Sequence, residues 1–309
     1  MTTTVVLIMT CVLSAEAKKP RPVEDFTSGG LAYHILRQAP EGIVEVAAPS
    51  AEIGAYCGEI RIPDSVQLGK ETYAVVAIGD AAFKGATGLE SIRMGENIRS
   101  IGAYAFSGCS SLQTVVLPKK IQAIRVGAFS HCTALDSIAL PEGLRTIEHG
   151  LMSHCTALHT VVLPKSAIEI GAQAFAYCGK LKTVVLPEQL HVIGNEAFYE
   201  CKALEHIVWP ERIARIGTRT FSNCISLREA ELPNGLRVLG ESAFEGCSQM
   251  RTARLGSGLA EMGDAVFRNC YQLELLRIAP ECKKVMRRSQ FGGCNQLQIE
   301  VEELKIENL

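Results

Sequence analysis

Ile98–Lys120 reads IRSIGAYAFSGCSSLQTVVLPKK, and the chain on either side is built from copies of that unit. Eight cysteines mark its period without a slip, each 23 residues after the last: Cys109, Cys132, Cys155, Cys178, Cys201, Cys224, Cys247 and Cys270. Phenylalanine stands three residues before most of them, at Phe106, Phe129, Phe175, Phe198, Phe221, Phe244 and Phe267, with Met152 as the one substitution. Phe83 extends the series back to a copy that lacks the cysteine. A fixed period over this length means one supersecondary unit copied in tandem, since a lone unit cannot bury its apolar side and stacked neighbours can. The fold predicted is therefore a repeat solenoid.

Each copy divides into three parts. In Leu112–Pro118, Leu112, Val115 and Leu117 are spaced to face inward from a short strand, leaving Thr114 and Val116 on the other face. Proline ends that strand because it has no N–H to donate, and it recurs at Pro141, Pro164, Pro187, Pro210 and Pro233. A turn and a second short extended piece follow, such as Leu190–Gly194. Glycine there (Gly102, Gly171, Gly194, Gly217, Gly240, Gly263) is expected to permit a backbone conformation that a Cβ would hinder. Ala103–Cys109 then predicts about two helical turns, with Phe106 and Cys109 on one side. The phenylalanines should stack into a spine. The cysteines beside them should be buried as small apolar groups rather than joined as disulfides. Cys282 and Cys294 fall outside the period and are close enough in sequence to pair with each other; Cys57 has no evident partner.

The termini differ from the repeats. Residues 1–17 read as an export signal, with an apolar core at Val5–Leu13 and a small-x-small cleavage site at Ala15-Glu16-Ala17, although no basic side chain precedes the core. Cys11 after Ile8-Met9-Thr10 resembles a degenerate lipoprotein box, which leaves a lipid anchor open beside simple secretion. Residues 18–74 look like a β-rich cap, with strands expected at Tyr33–Leu36, Ile43–Val46, Glu59–Ile62 and Tyr73–Val76. Nine repeats are expected over 75–278. Residues 279–309 read as a degenerate tenth copy, retaining Phe291 and Cys294 one residue out of register and closing on an alternating strand at Ile299–Ile306.

Composition narrows the function. An apolar fraction of 47% suffices for a continuous core, and a net charge of −2 with scattered lysine and arginine gives no basic groove for nucleic acid. No apolar run beyond the first 15 residues approaches the ~20 needed to span a bilayer. No phosphate loop, nucleophile elbow or metalloprotease helix is present. His131-Cys132 and His154-Cys155 on adjacent turns, with His149 and His159 nearby, contain residue types that suit zinc. The cysteines should point inward and the histidines outward, however, so exposed turn histidines are the preferred reading. No catalytic residue, metal or cofactor is expected.

The unit LxxVxLPxxLxxIGxxAFxxC resembles the leucine-rich repeat of the BspA-like family of host-associated bacteria, the Treponema pallidum type, over about residues 30–300. The lead-in Tyr73–Phe83 resembles the junction before the first repeat in that family. The resemblance implies a right-handed superhelix of 23-residue leucine-rich repeats. It has short parallel strands on a concave face, short helices or 3-10 turns opposite, and a β-rich N-terminal cap. It also implies a non-enzymatic surface or secreted protein that binds host proteins or other bacteria.

The outward column of the strands carries the functional signal. It reads Arg93, Val116, Ala139, Val162, Val185, Val208, Glu231, Arg254, Arg277: five apolar residues bounded by charge. The column beside it, with Thr114, Thr160, Thr183 and His206, is mostly small and hydroxylic. Valine and threonine suit strands whatever they face. An exposed apolar patch bounded by charge also marks an interaction site, and the abrupt change at Glu231 favours that reading. Two functions follow. One is an exported binding module for a protein, including a host extracellular protein, or for an apolar ligand, acting in the periplasm or at the cell surface. The other is a self-associating envelope scaffold, a homo-oligomer through the same stripe. Arg93 and Glu231 would form its polar rim. Trp209 occupies an inward position and is expected to pack in the core.

Overall fold

The protein is described by a computed structural model over residues 25–48 and 56–302. The expected leader, Cys11 and the end of the closing strand lie outside these residues. The described chain forms a solenoid of about ten turns in which two columns of short parallel strands run along the long axis. The first column carries the unit's main strand, as in Thr160–Val162, Thr183–Val185 and His206–Val208, paired in register. The second carries two-residue strands such as Glu169–Ile170 and Val192–Ile193.

The four N-terminal strands expected from the sequence are present, and Asp25–Ser28 and Ser65–Leu68 are added to them. Asp25–Ser28, Leu31–Arg37 and Gly42–Ala47 form an antiparallel meander, which then pairs parallel with Glu71–Ile78. Glu71–Ile78 leads directly into the second column through Ser100–Ile101. Cys57–Arg61 pairs parallel with Gly88–Arg93, so it already stands in the first column. At the other end, 3-10 helices at Pro280–Val285 and Arg288–Phe291 precede the last strand, Gln298–Val301. The buried Gln290 amide donates to the carbonyls of Val285 (2.9 Å) and Met262 (3.3 Å), and so fills the role of missing backbone partners.

The core is a spine of rings. Phe83, Phe106 and Phe129 stack with centroids 5.0 and 5.2 Å apart, and the series from Phe175 to Phe291 stacks at 5.2–5.9 Å. Tyr56 extends it by one ring against Phe83, at 4.7 Å. Met152 takes the missing place and is fully buried.

All eight repeat cysteines are buried free thiols. Each Sγ donates to a backbone carbonyl of the preceding repeat, at the position of its spine residue: Cys155 to Phe129 at 3.1 Å, Cys178 to Met152 and Cys224 to Phe198 at 3.2 Å. Cysteine thus combines a small apolar volume with one weak donor. Cys294 makes the same bond to Phe267 at 3.0 Å, and Cys282 donates to Gly256 at 3.2 Å, so neither pairs with the other. Thiol labelling of the native protein should therefore reach few of the column cysteines, and labelling in denaturant at least eight. Fast native modification of most of the column would contradict this packing.

Two details differ from the sequence reading. Ala103–Cys109 is not helical. Its N–H groups alternate: Tyr104, Phe106 and Gly108 donate to the next turn at Val126, Ala128 and Ser130, while Ala105, Ser107 and Cys109 donate three residues back. That alternation requires left-handed residues, Tyr104 at φ 55° and Gly108 at φ 77°, which a helix excludes. The second difference concerns glycine. Gly194 has no positive φ; instead a Cβ there would lie 2.6 Å from the backbone nitrogen of Ala172 on the preceding turn. Close approach between turns, not conformational freedom, selects glycine at this position.

Candidate functional site

The strand face is built by the pleat. Along Thr160–Val162 the side chains alternate out, in, out: Val161 is 4% exposed and Val162 is 56% exposed. Repetition in register lays the outward residues side by side, so that Ala139 stands next to Val162 and Val185 next to Val208. Val185 and Val208 are 73% and 72% exposed, well above what a strand buried on both faces allows. Thr114, Thr160, Thr183 and His206 are exposed beside them, as are Arg93 and Glu231 at the two ends. Every residue proposed for the stripe therefore lies on one open face.

The ladder lapses twice, once inside the stripe between Thr114–Val116 and Ser137–Ala139 and once at its end. His206–Val208 closes one four-stranded ladder, and Glu229–Glu231 opens the next. Trp209 sits beside that break, half-buried, with its indole edge-on to Phe221 at 5.4 Å and Phe244 at 6.2 Å. It belongs to the core, as its inward position predicts. Beyond the break the outward column carries charge, and its two last arginines are matched within the chain. Arg254 binds Glu302 through two bonds of 2.7 and 3.0 Å, and Arg277 reaches Glu300 at 3.3 Å. The Arg254 bond holds the Glu302 carboxyl below the usual range.

Other surfaces carry distinct chemistry. On the turn side, His131, His154 and Tyr177 stack ring on ring with centroids 4.3 Å apart. Burial, with His131 adding, pulls the His154 imidazole below its ordinary value. Parallel rings do not aim their lone pairs at one point, and among the described residues no group of three or more His, Cys, Asp or Glu is placed to hold a metal ion. A cleft of about 270 Å³ lies beside this stack, lined by Lys84, Tyr104, Ser130, His131 and His149. A second, of about 400 Å³, lies at the N-terminal junction among Asp25, His34, Glu45, Asp80 and Arg125. Burial raises the Glu45 carboxyl there, with Asp80 adding and His34 opposing. No local pattern signals either cleft, since each joins residues from several turns. No helix among the described residues is long and apolar enough to cross a membrane.

Residues 59–182 and 168–298 match the model of the BspA type leucine-rich repeat region. Among solved structures, a leucine-rich cell-surface protein of Faecalibacterium prausnitzii is similar at 24% identity, with 91% of this chain and 96% of that one covered and a TM-score of 0.52. The pneumococcal vaccine antigen PcpA is similar at 19% identity, covering 91% and 88%, with a TM-score of 0.57. A leucine-rich repeat protein of Bacteroides ovatus is similar at 21% identity, covering 91% and 100%, with a TM-score of 0.50. These likenesses concern the fold. No curated protein matches the chain.

Proposed function

The chain belongs to the BspA-type leucine-rich repeat family, and on that premise we propose that it is a non-enzymatic protein-interaction module acting outside the cytoplasm through its strand face. The single observation that carries this is the apolar stripe Val116, Ala139, Val162, Val185 and Val208, exposed on one face and bounded by Arg93 and Glu231. Scattered exposed valines are ordinary; adjacent ones at strand spacing form one patch whose burial releases water at about 25 cal/mol per Å². A small ligand needs a concave pocket, and the two clefts described above lie away from the stripe. A sheet face of this kind suits a protein. The hydroxyls of Thr114, Thr160 and Thr183 supply orienting hydrogen bonds along one edge. Arg93 and Glu231 supply a rim that favours specificity over raw affinity.

Placement at the cell surface, with adhesion to host proteins as its role, is supported by the family and by the cell-surface description of the F. prausnitzii relative. It is also supported by the export-like leader at residues 1–17.

The test is the double change Val162→Glu with Val185→Glu, measured as binding of the folded chain to purified extracellular host proteins. Both side chains point to solvent, so circular dichroism and the urea midpoint should stay near wild type while binding is lost. A variant that folds and binds as before would remove the stripe from the function and leave it to β-propensity.

A further inference from the structure

Three couples of opposite charge around the apolar stripe are centred on the Val162 repeat, while Glu205 and Glu229 lie opposite the uncharged Gln113 and Ser91. Arg93 and Glu231 lie on the same outward column, three repeats to either side of it. In the exposed column that precedes the strands, Glu90 and Arg228 lie three repeats to either side of His159, and Asp136 and Lys182 one repeat to either side. Each such couple joins opposite signs. Among the described residues Glu90, Arg93, Lys182, Arg228 and Glu231 have no ion-pair partner within 4.0 Å, whereas Arg254 and Arg277, just beyond the stripe, are matched inside the chain. Asp136 bonds His159 at 2.6 Å within the chain; the other five charges of the three couples are left unmatched in one copy, and opposite charges at equal distances from a centre suit a two-fold interface.

We infer that the occupant of the strand face is a second copy of this chain, packed face to face about a two-fold axis that runs along the strand of Val162. This rests on the reading of that face as an interaction surface. Such an axis sets Val116 over Val208, Ala139 over Val185 and Val162 over itself. It sets Arg93 of one copy over Glu231 of the other, Glu90 over Arg228, and Asp136 over Lys182, each pair occurring twice. Sliding the copies by one repeat one way would set Arg93 over Val208, and the other way Glu231 over Val116 and Arg93 over Arg254, so either slide breaks the charge pairing. In the turns beyond the strands the same axis would oppose Glu142 to Glu188, which confines the contact to the strands.

Seven strands at ~4.8 Å span about 29 Å, and the outward columns with their side chains span about 18 Å. The footprint is then about 500 Å² per copy, at the lower limit for a specific interface. The dimer is therefore weak and concentration-dependent. The rim pairs, exposed and screened, fix register more than they add affinity.

Sedimentation velocity of the full chain over a micromolar concentration series tests this. A monomer–dimer equilibrium is expected, weakened by added salt and abolished by Val162→Glu with Val185→Glu. Arg93→Glu alone should weaken the dimer about tenfold, and Glu231→Arg alone by a similar factor. The two together should restore it to near the wild-type value. A chain that stays monomeric at low salt overturns the second-copy inference only; the Val162 and Val185 changes against a host protein then decide the preceding proposal separately. A dimer that ignores those changes lies elsewhere and overturns the inference, as does a double reversal that fails to rescue.

Discussion

Raising the pH from 8 to 10 should unfold this protein without any added denaturant. All eight repeat thiols are held well above their ordinary value of 9, Cys109 and Cys155 at about 12, with burial as the first cause in each. Burial penalises the thiolate, so the folded chain keeps its protons while the unfolded chain loses them from pH 9 upward. The stability tied to these groups is complete below the unfolded value and is lost as pH rises toward the folded one. At pH 10 each such thiol, ionised only in the unfolded chain, favours the unfolded state by on the order of 1 kcal/mol, and eight together by on the order of 10 kcal/mol. That is comparable to the whole stability of an ordinary domain, about 5–15 kcal/mol. Circular dichroism measures it, as urea midpoints at pH 8 and 9 and as the ellipticity left without urea at pH 10. Replacing Cys155, Cys178 and Cys201 by Ala should lower the proton slope by about three per molecule, which separates the thiol column from the lysines and tyrosines. A midpoint that is unchanged between pH 8 and pH 10 would mean that the column is not desolvated.

The features that repetition makes redundant were legible in the sequence. The facing of Val161 and Val162 follows from the pleat and is stated again by each neighbouring copy, so a single ambiguous residue could not mislead it. The same holds for the Phe106–Cys109 relation, yet there the sequence misleads about conformation. A three-residue spacing suits a helix and equally suits consecutive turns whose alternate N–H groups point to the next repeat. What decides is the hydrogen bond from Phe106 to Ala128, a contact between turns that no local pattern encodes. Tyr104, His131 and Gln173 hold left-handed conformations that would ordinarily announce themselves as glycine. Inter-turn bonds sustain them, and glycine appears instead at Gly194, where the backbone closes on Ala172. The outward column was readable residue by residue. Its electrostatic state was not: Arg254 and Arg277 look alike in the sequence to Arg93, and only the fold brings Glu302 and Glu300 to the first two while leaving Arg93 unmatched.

Phe198→Ala should cost about 3–5 kcal/mol, the range for a fully buried phenylalanine whose site cannot collapse. Its ring stacks on Phe175 at 5.3 Å and on Phe221 at 5.2 Å, so one truncation removes two aromatic contacts and opens a void between turns. Position in the array matters as much as burial. A solenoid's stability is the sum of what each unit contributes alone and what it gains from its nearest neighbours, so a defect at mid-array weakens the coupling between the halves on either side. Phe267→Ala, near the end, leaves a longer intact segment and should broaden the urea transition less. Met152 supplies the internal control: the spine already accepts a thioether between Phe129 and Phe175, fully buried. Phe198→Met should accordingly cost less than about 1.5 kcal/mol, because volume is nearly kept and methionine packs well against ring edges. A loss below about 1 kcal/mol for Phe198→Ala would take this ring out of the core. Equal losses for Ala and Met would show that the spine depends on ring stacking itself rather than on filled volume. The expected order, with Ala costing far more than Met, means that filled volume supplies most of the stabilisation. Aromatic geometry adds the smaller share that such pairs carry beyond their buried area.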